Sequence, residues 1–159
     1  TSNTIVMLVG SSGTELQPRD RGGPSPYRQR LSVPLAIRRP SSSPGRIHHP
    51  VQLLDVPTTL ARRAGLEPDP SWNGEDILDL KMKGAPPPAR PIYAHFSDEN
   101  RGWSMVQLEE WKYIQRHGST DSEELYNLRE DPGELNNLSE AEDERRQQMQ
   151  NVLYKVESR

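Results

Sequence analysis

The sequence predicts a mixed α/β chain, and three observations carry that prediction. Residues 3–9 read Asn-Thr-Ile-Val-Met-Leu-Val, an apolar run of strand length closed by Gly10-Ser11-Ser12-Gly13. Four short runs rich in aromatic and β-branched residues follow between positions 92 and 128, joined by short connections as in an antiparallel sheet. Behind them Ala141, Met149, Val152, Leu153 and Val156 recur with helical spacing, so a terminal helix packs one face on that sheet.

Composition bounds the core. A chain of 159 residues is one domain or a little more. Leu, Ile, Val and Phe make up just under a fifth of it, close to the roughly 20% level below which a packed core becomes hard to build. The net charge of -3 is too small to hold the chain open by repulsion. The chain contains no cysteine, hence no disulfide, zinc thiolate or thiol nucleophile. No apolar run approaches the roughly 18 residues of a membrane span, so no membrane partner is expected, and the N-terminus does not look like a signal peptide. Charge is uneven: residues 1–50 hold seven Arg and Lys against two acids, 51–108 six against eight, and 109–159 seven against thirteen. The basic first third suits an anionic partner such as a sulfated glycan. Only Tyr27 is there to stack a base, so nucleic acid is not expected.

The elements follow in order. The strand at 3–9 is apolar on both faces, as one buried in a parallel sheet would be, and the Gly-Ser turn after it stands where active-site residues gather in open α/β sheets. Ser11 and Ser12 do not fit the Gly-x-Ser-x-Gly spacing of a nucleophile elbow. Residues 22–27 are too rich in turn formers for regular structure, 31–38 form a strand with Pro34 near its start, and 39–45 form a loop. His48 and His49 are adjacent in an extended segment, point opposite ways and lack a third ligand. Residues 51–65 read as a short helix, with Asp55 in a capping role at its N-terminus, Pro57 in its first turn and Gly65 at its end. From 66 to 90 the chain is mostly connection, with Pro86-Pro87-Pro88 as an extended spacer. Strands are then expected at 92–96, 104–108, 111–114 and 124–128, with Glu109-Glu110 as a hairpin turn and Asp131-Pro132-Gly133 as a closing turn. Ser139-Glu140-Ala141-Glu142 is a capping box that opens the last helix. Asn137-Leu138-Ser139 matches a glycosylation sequon by pattern alone.

Three of these segments carry a resemblance. Trp111-Lys112-Tyr113-Ile114, then Glu124-Leu125-Tyr126-Asn127-Leu128, then Asp131-Pro132-Gly133-Glu134-Leu135-Asn136-Asn137-Leu138 closely resemble the C-terminal subdomain of the sulfatases, members of the alkaline phosphatase superfamily. There the order runs Trp-Lys-x-Ile, Glu-Leu-Tyr-Asp-Leu and Asp-Pro-x-Glu-x-x-Asn-Leu. Upstream, residues 31–38, 51–65 and 73–80 are similar to further segments of that family, so the resemblance runs from Ser2 to about Leu138 but covers only the C-terminal portion of the fold. It implies the C-terminal part of an alkaline-phosphatase-like α/β sandwich plus a small four-stranded antiparallel sheet packed by a C-terminal helix. The domains expected are a remnant of the catalytic α/β domain at 1–66, a Pro-rich connection at 67–90 and an antiparallel subdomain with the terminal helix at 91–159.

The resemblance also implies an activity and its requirements. Family enzymes hydrolyse sulfate esters with a formylglycine made from Cys or Ser in a Cys/Ser-x-Pro-x-Arg motif, beside a divalent metal that is usually calcium. That motif belongs upstream of the strand at 3–9, and Ser43-Pro44-Gly45-Arg46 has the wrong spacing and place. The two metal-ligand positions after this strand fall on Ser11 and Ser12, whose neutral hydroxyls are poor partners for a hard cation. The lysine that contacts the sulfate falls near Gly23; no lysine occurs before position 81, and Arg21 is no equivalent. The expectation is a truncated, degenerate sulfatase-like chain, inactive alone, with no catalytic, substrate-binding or metal residue and no cofactor of its own. Two alternatives stand beside it: the C-terminal half of a two-chain sulfuric ester hydrolase, partnered by an N-terminal sulfatase-like chain, and a module that holds sulfated glycan through its arginines. Relatives are often periplasmic, lysosomal or secreted, and no residue here assigns a compartment.

Overall fold

The structure, a computed structural model, describes residues 4–13, 25–40, 43–47, 49–82, 89–99, 101–118 and 122–158. The elements in order are β1 (Val6–Val9), α1 (Arg28–Leu31), β2 (Leu35–Arg38), α2 (Asp55–Arg63), α3 (Ile77–Met82), β3 (Ile92–Ser97), β4 (Gly102–Leu108), β5 (Trp111–His117), β6 (Ser122–Asn127) and α4 (Asp143–Glu157). They form two compact units, one built from residues 1–44 with 93–159 and the other from residues 45–92.

In the first unit the sheet runs β3-β4-β5-β6, and β5 pairs antiparallel with both neighbours. Side chains alternate across a strand, so β5 sends Trp111 and Tyr113 to one face and Lys112, Ile114 and Arg116 to the other. The first face carries the core: Val106, Tyr113 and Leu125 stand in register across three strands and pack with Met149 and Leu153 of α4. These two α4 residues are four apart and so lie on one side of the helix. Burying side chains of this size contributes about 1.5–3 kcal/mol each, which makes this contact the main source of cohesion in a chain with a thin apolar supply. The Arg145 guanidinium lies over Trp111 at 5.2 Å and covers the edge of the core.

Two sequence expectations change here. The helix begins at Asp143, not at Ser139, and its N-cap residue Glu142 makes no side-chain capping bond. Residues 138–142 form a turn in which the Ala141 and Glu142 N–H groups donate to Leu138 O, so the capping-box spacing is present without its helix. Asp143 and Glu144 then supply the negative charge that the first turn favours. The second change concerns β1. It pairs antiparallel with β2, Val6 opposite Arg38 and Val9 opposite Leu35, and among the described residues it has no other strand beside it. Val6 and Leu8 are 49% and 68% exposed, so the strand expected to be buried on both faces in a parallel sheet is open on one. An apolar run signals that both faces need cover, whereas strand direction depends on which neighbour satisfies the backbone, and here that is β2.

The 45–92 unit is built around a buried carboxylate. Asp55 is the first residue of α2, not its cap, and its side chain is fully buried. It accepts the Gln52 N–H at 2.8 Å, the Glu75 N–H at 2.8 Å and both terminal nitrogens of Arg90, at 2.8 and 2.5 Å. These bonds, together with the charge of Asp55, hold Arg90 above its ordinary pKa against the cost of its partial burial. Thr59 Oγ1 donates to Asp55 O and accepts the Ile77 N–H, which ties α2 to α3. Thus the stretch read as mostly connection holds a helix whose Ile77 and Leu78 are buried. Gly65 ends α2 as expected. It takes φ +76°, a backbone state that costs a residue with a Cβ, and the Gly65 and Leu66 N–H groups reach back to Arg62 O and Ala61 O. No described helix is long and apolar enough to cross a membrane.

Candidate functional site

The candidate site gathers around α1, a single helical turn that sequence reading left inside a strand and a loop. The turn after β1 reaches it first: Gly10 N–H donates to Pro34 O at 2.9 Å, and Gly13 N–H donates to Arg30 O at 2.8 Å. A Cβ on Gly13 would collide with the Gln29 carbonyl, so only glycine allows this approach. Ser11 and Ser12 sit between these two anchors and are exposed.

From the far side, α1 is held by a buried ion pair. Lys112 Nζ donates to Glu134 Oε1 at 2.5 Å and to Pro26 O at 2.6 Å, and both side chains are only 2% exposed. Glu134 Oε2 accepts the Arg28 N–H at 2.8 Å. The first free amide of α1 is thus satisfied by a residue 106 positions away, while Tyr27, its N-cap, makes no side-chain cap of its own. Lys112 and Glu134 are the Lys of the Trp-Lys-Tyr-Ile run and the Glu of the Asp-Pro-Gly-Glu turn, both noted in the sequence for family likeness but not paired. A lysine between Trp111 and Tyr113 in a strand covered on both faces is the one signal that could have marked it.

A second network lies beside the pair on the same face of β5. Glu124 Oε1 accepts Arg116 Nε at 2.7 Å, and Glu124 Oε2 accepts the hydroxyls of Tyr126 and Tyr27 at 2.7 and 2.9 Å. Arg116 Nη2 also donates to the Tyr27 hydroxyl at 3.1 Å, with the guanidinium 5.7 Å from the Tyr27 ring. Burial and the Glu124 charge push both tyrosine hydroxyls above their usual pKa, with Arg116 opposing this at Tyr27. Burial works against the Arg116 charge, but Glu124 outweighs it and keeps the guanidinium protonated. The hydroxyls of Tyr27 and Tyr126 and the charges of Glu124 and Arg116 bind one another, so the cluster positions Tyr27.

Ser11 and Ser12 lie in the described turn, whereas Gly23, Arg21 and His48 fall outside the described residues. For the divalent metal that the family implies, Ser11 and Ser12 supply two neutral hydroxyls and no carboxylate, a donor set that does not match a hard cation. Among the described residues no group of three or more His, Asp or Glu is gathered as a metal site. The arrangement can hold α1 and the turn after β1 in fixed relation, as a backing for chemistry performed by other groups.

This geometry defines a class before it defines a family. A β-turn-α1-β2 segment locked onto an antiparallel sheet with a covering C-terminal helix is the C-terminal part of an alkaline-phosphatase-like α/β fold. The fold is shared with a protein solved in complex with its substrate D-glucosamine-2-N,6-O-disulfate, at a TM-score of 0.78 and 19% identity, over 99% of this chain and 34% of that one. It is also shared with a phosphonate monoester hydrolase of Agrobacterium radiobacter, at a TM-score of 0.68 and 23% identity, over 86% of this chain and 31% of that one.

The chain belongs to the sulfatase family, its residues 26–159 matching the domain described as N-sulphoglucosamine sulphohydrolase, C-terminal. It is similar to a choline-sulfatase of Rhizobium meliloti (strain 1021), 34% identical over 112 residues, which are 68% of this chain and 21% of that protein. It is also similar to arylsulfatase K of Xenopus laevis, 29% identical over 144 residues, 83% of this chain and 27% of that protein. The chain therefore spans about a fifth to a quarter of the length of these curated relatives.

Proposed function

We propose that residues 1–159 act as the C-terminal subdomain of a sulfuric ester hydrolase and turn over no ester on their own. The observation that carries this reading is the open face of β1. Val6 and Leu8 present apolar surface beside the turn where the family places its metal ligands, and a strand in that state needs neighbours. The remainder of a sulfatase fold, in the same chain or a separate one, supplies them together with the nucleophile and the metal. This chain's part is to fix the turn at Ser11–Ser12 and the start of α1 through Lys112, Glu134 and the Tyr27 network. A metal and an anion-contacting cation furnish most of the transition-state stabilisation in ester hydrolysis of this kind, which is why the subdomain alone is expected to be inert. The test is an assay of the purified chain on 4-nitrophenyl sulfate and 4-nitrophenyl phosphate with added Ca²⁺ or Mg²⁺. Release of nitrophenol no faster than the blank is expected, and metal-dependent turnover would sink the reading.

A further inference from the structure

Asn73 is the one asparagine of the chain that a glycine follows. It is exposed, and neither its carboxamide nor the Gly74 N–H is hydrogen-bonded to any described residue. Other asparagines are held. Asn127 Oδ1 accepts the Arg129 N–H at 3.1 Å, Asn137 Oδ1 accepts the Leu125 N–H at 2.9 Å, and Asn151 lies inside α4. Glycine at 74 is also required by the packing, because a Cβ there would collide with Leu54 O and Thr58 Oγ1. With no Cβ, its backbone nitrogen is open to close approach by the neighbouring side chain. The contact that demands glycine therefore leaves a reactive Asn-Gly step at the surface of the 45–92 unit.

We propose that Asn73 is a site of self-modification, converting to aspartate and isoaspartate through a cyclic imide, and that the isoaspartyl product loosens the 45–92 unit. Gly74 N attacks Asn73 Cγ as its proton passes to hydroxide. The N–Cγ bond forms, the Cγ–Nδ2 bond breaks, and Nδ2 takes a proton from water and leaves as ammonia. Water then adds to either imide carbonyl. Opening at Cγ gives an ordinary aspartate, whereas opening at the main-chain carbonyl leaves the backbone running through Cγ, longer by one methylene. One water is consumed and one ammonia released, with no oxidation or reduction. The extra methylene enters beside a tightly fixed point. Gly74 lies against Leu54 O, and the next amide, Glu75 N–H, donates to the buried Asp55 carboxylate at 2.8 Å. One residue further, Asp76 is buried and pairs with Arg63 at 2.7 Å. A longer backbone between Asn73 and Gly74 displaces the Glu75 amide and takes a donor from a buried charge, which is costly.

The experiment incubates the folded full chain in mildly alkaline buffer and maps its peptides by mass spectrometry. An L-isoaspartyl methyltransferase serves as the probe for isoaspartate. Conversion at Asn73 is expected, faster as hydroxide rises, with Asn127, Asn137 and Asn151 unchanged. The Asn73→Gln chain should keep its circular dichroism and thermal transition, because the side chain is exposed and unbonded to described residues, and should lose both the mass gain and the methyl uptake. Conversion confined to a urea-unfolded sample, with Asn73 intact in the folded chain, would show that the folded backbone keeps Gly74 N from Cγ and overturns the site. Hydrogen exchange at the Glu75 amide reads the consequence. The isoaspartyl form should lose protection there, while an Asn73→Asp chain, which has the charge without the methylene, keeps it. Unchanged protection in the isoaspartyl form, or an equal loss in Asn73→Asp, overturns the backbone account of the loosening.

Discussion

At the residue scale, the Lys112–Glu134 pair shows how a buried charge is tolerated. Each partner has lost its hydration, and each has regained a full set of oriented contacts: Pro26 O for the ammonium, the Arg28 N–H for the carboxylate. Lys112→Met leaves Glu134 buried and unpaired and is expected to lower the unfolding free energy by about 3–5 kcal/mol in urea titrations. Lys112→Met with Glu134→Leu should recover most of that loss, and a double variant as unstable as the single would show that the two charges are not coupled. Glu109 makes the opposite case. It is the first residue of the two-residue turn between Leu108 and Trp111 and is held at φ 54°, where a Cβ is strained. Glu109→Gly is expected to raise stability by about 0.5–1 kcal/mol, read from the same titration. The turn itself was legible, because two polar residues separate two aromatic and β-branched runs. The pairing of Lys112 was not, since Glu134 stands 22 positions away and only the folded sheet brings them together.

At the element scale, Asn137 finishes the sheet. Its Oδ1 accepts the Leu125 N–H at 2.9 Å, its Nδ2 donates to Glu123 O at 3.1 Å, and the Leu138 N–H donates to Leu125 O at 2.8 Å. The side-chain amide thus acts as a short stretch of strand along the outer edge of β6 and blocks edge-to-edge pairing there. Asn137→Ala is expected to cost about 1–3 kcal/mol and to speed hydrogen exchange at the Leu125 amide, because that donor loses its acceptor. Unchanged protection at Leu125 would argue against this role. The strands were readable because each carries its own local pattern of aromatic and β-branched residues. The start of α4 was misplaced by three residues because Ser139 fits a capping box by spacing, while its N–H is taken by Asn137 Oδ1 and the chain is still turning. The face of α4 was nonetheless correct, because Met149, Val152 and Leu153 repeat at the helical period regardless of where the helix begins.

At the scale of the whole molecule, the tyrosines of the 1–44 and 93–159 unit set its alkaline limit. Burial raises the hydroxyl pKa of Tyr27, Tyr93, Tyr113 and Tyr126, and Glu124, Glu157 and Glu123 add to it. An unfolded tyrosine ionises near pH 10, so the stabilisation is complete below about pH 10 and is lost as pH rises from there through the higher folded values. Unfolding free energy is expected to hold level towards pH 10 and to fall above it. Phenolate absorbance should rise at higher pH in the native chain than in the urea-unfolded chain. Coincident titration curves would refute the assignment.

The division of the chain into units sets an order of events during synthesis. Residues 45–92 are continuous and can close on themselves as they emerge, whereas residues 1–44 belong with a segment that has not yet been made. Pro26 and Arg28 wait for Lys112 and Glu134, which are 86 and 106 positions further on. At about 5–20 residues per second the wait is on the order of ten seconds, long compared with local folding. Throughout that interval α1 lacks the Glu134 carboxylate that accepts its first amide, so the turn it anchors through Gly13 is fixed late, after the 45–92 unit between them has closed.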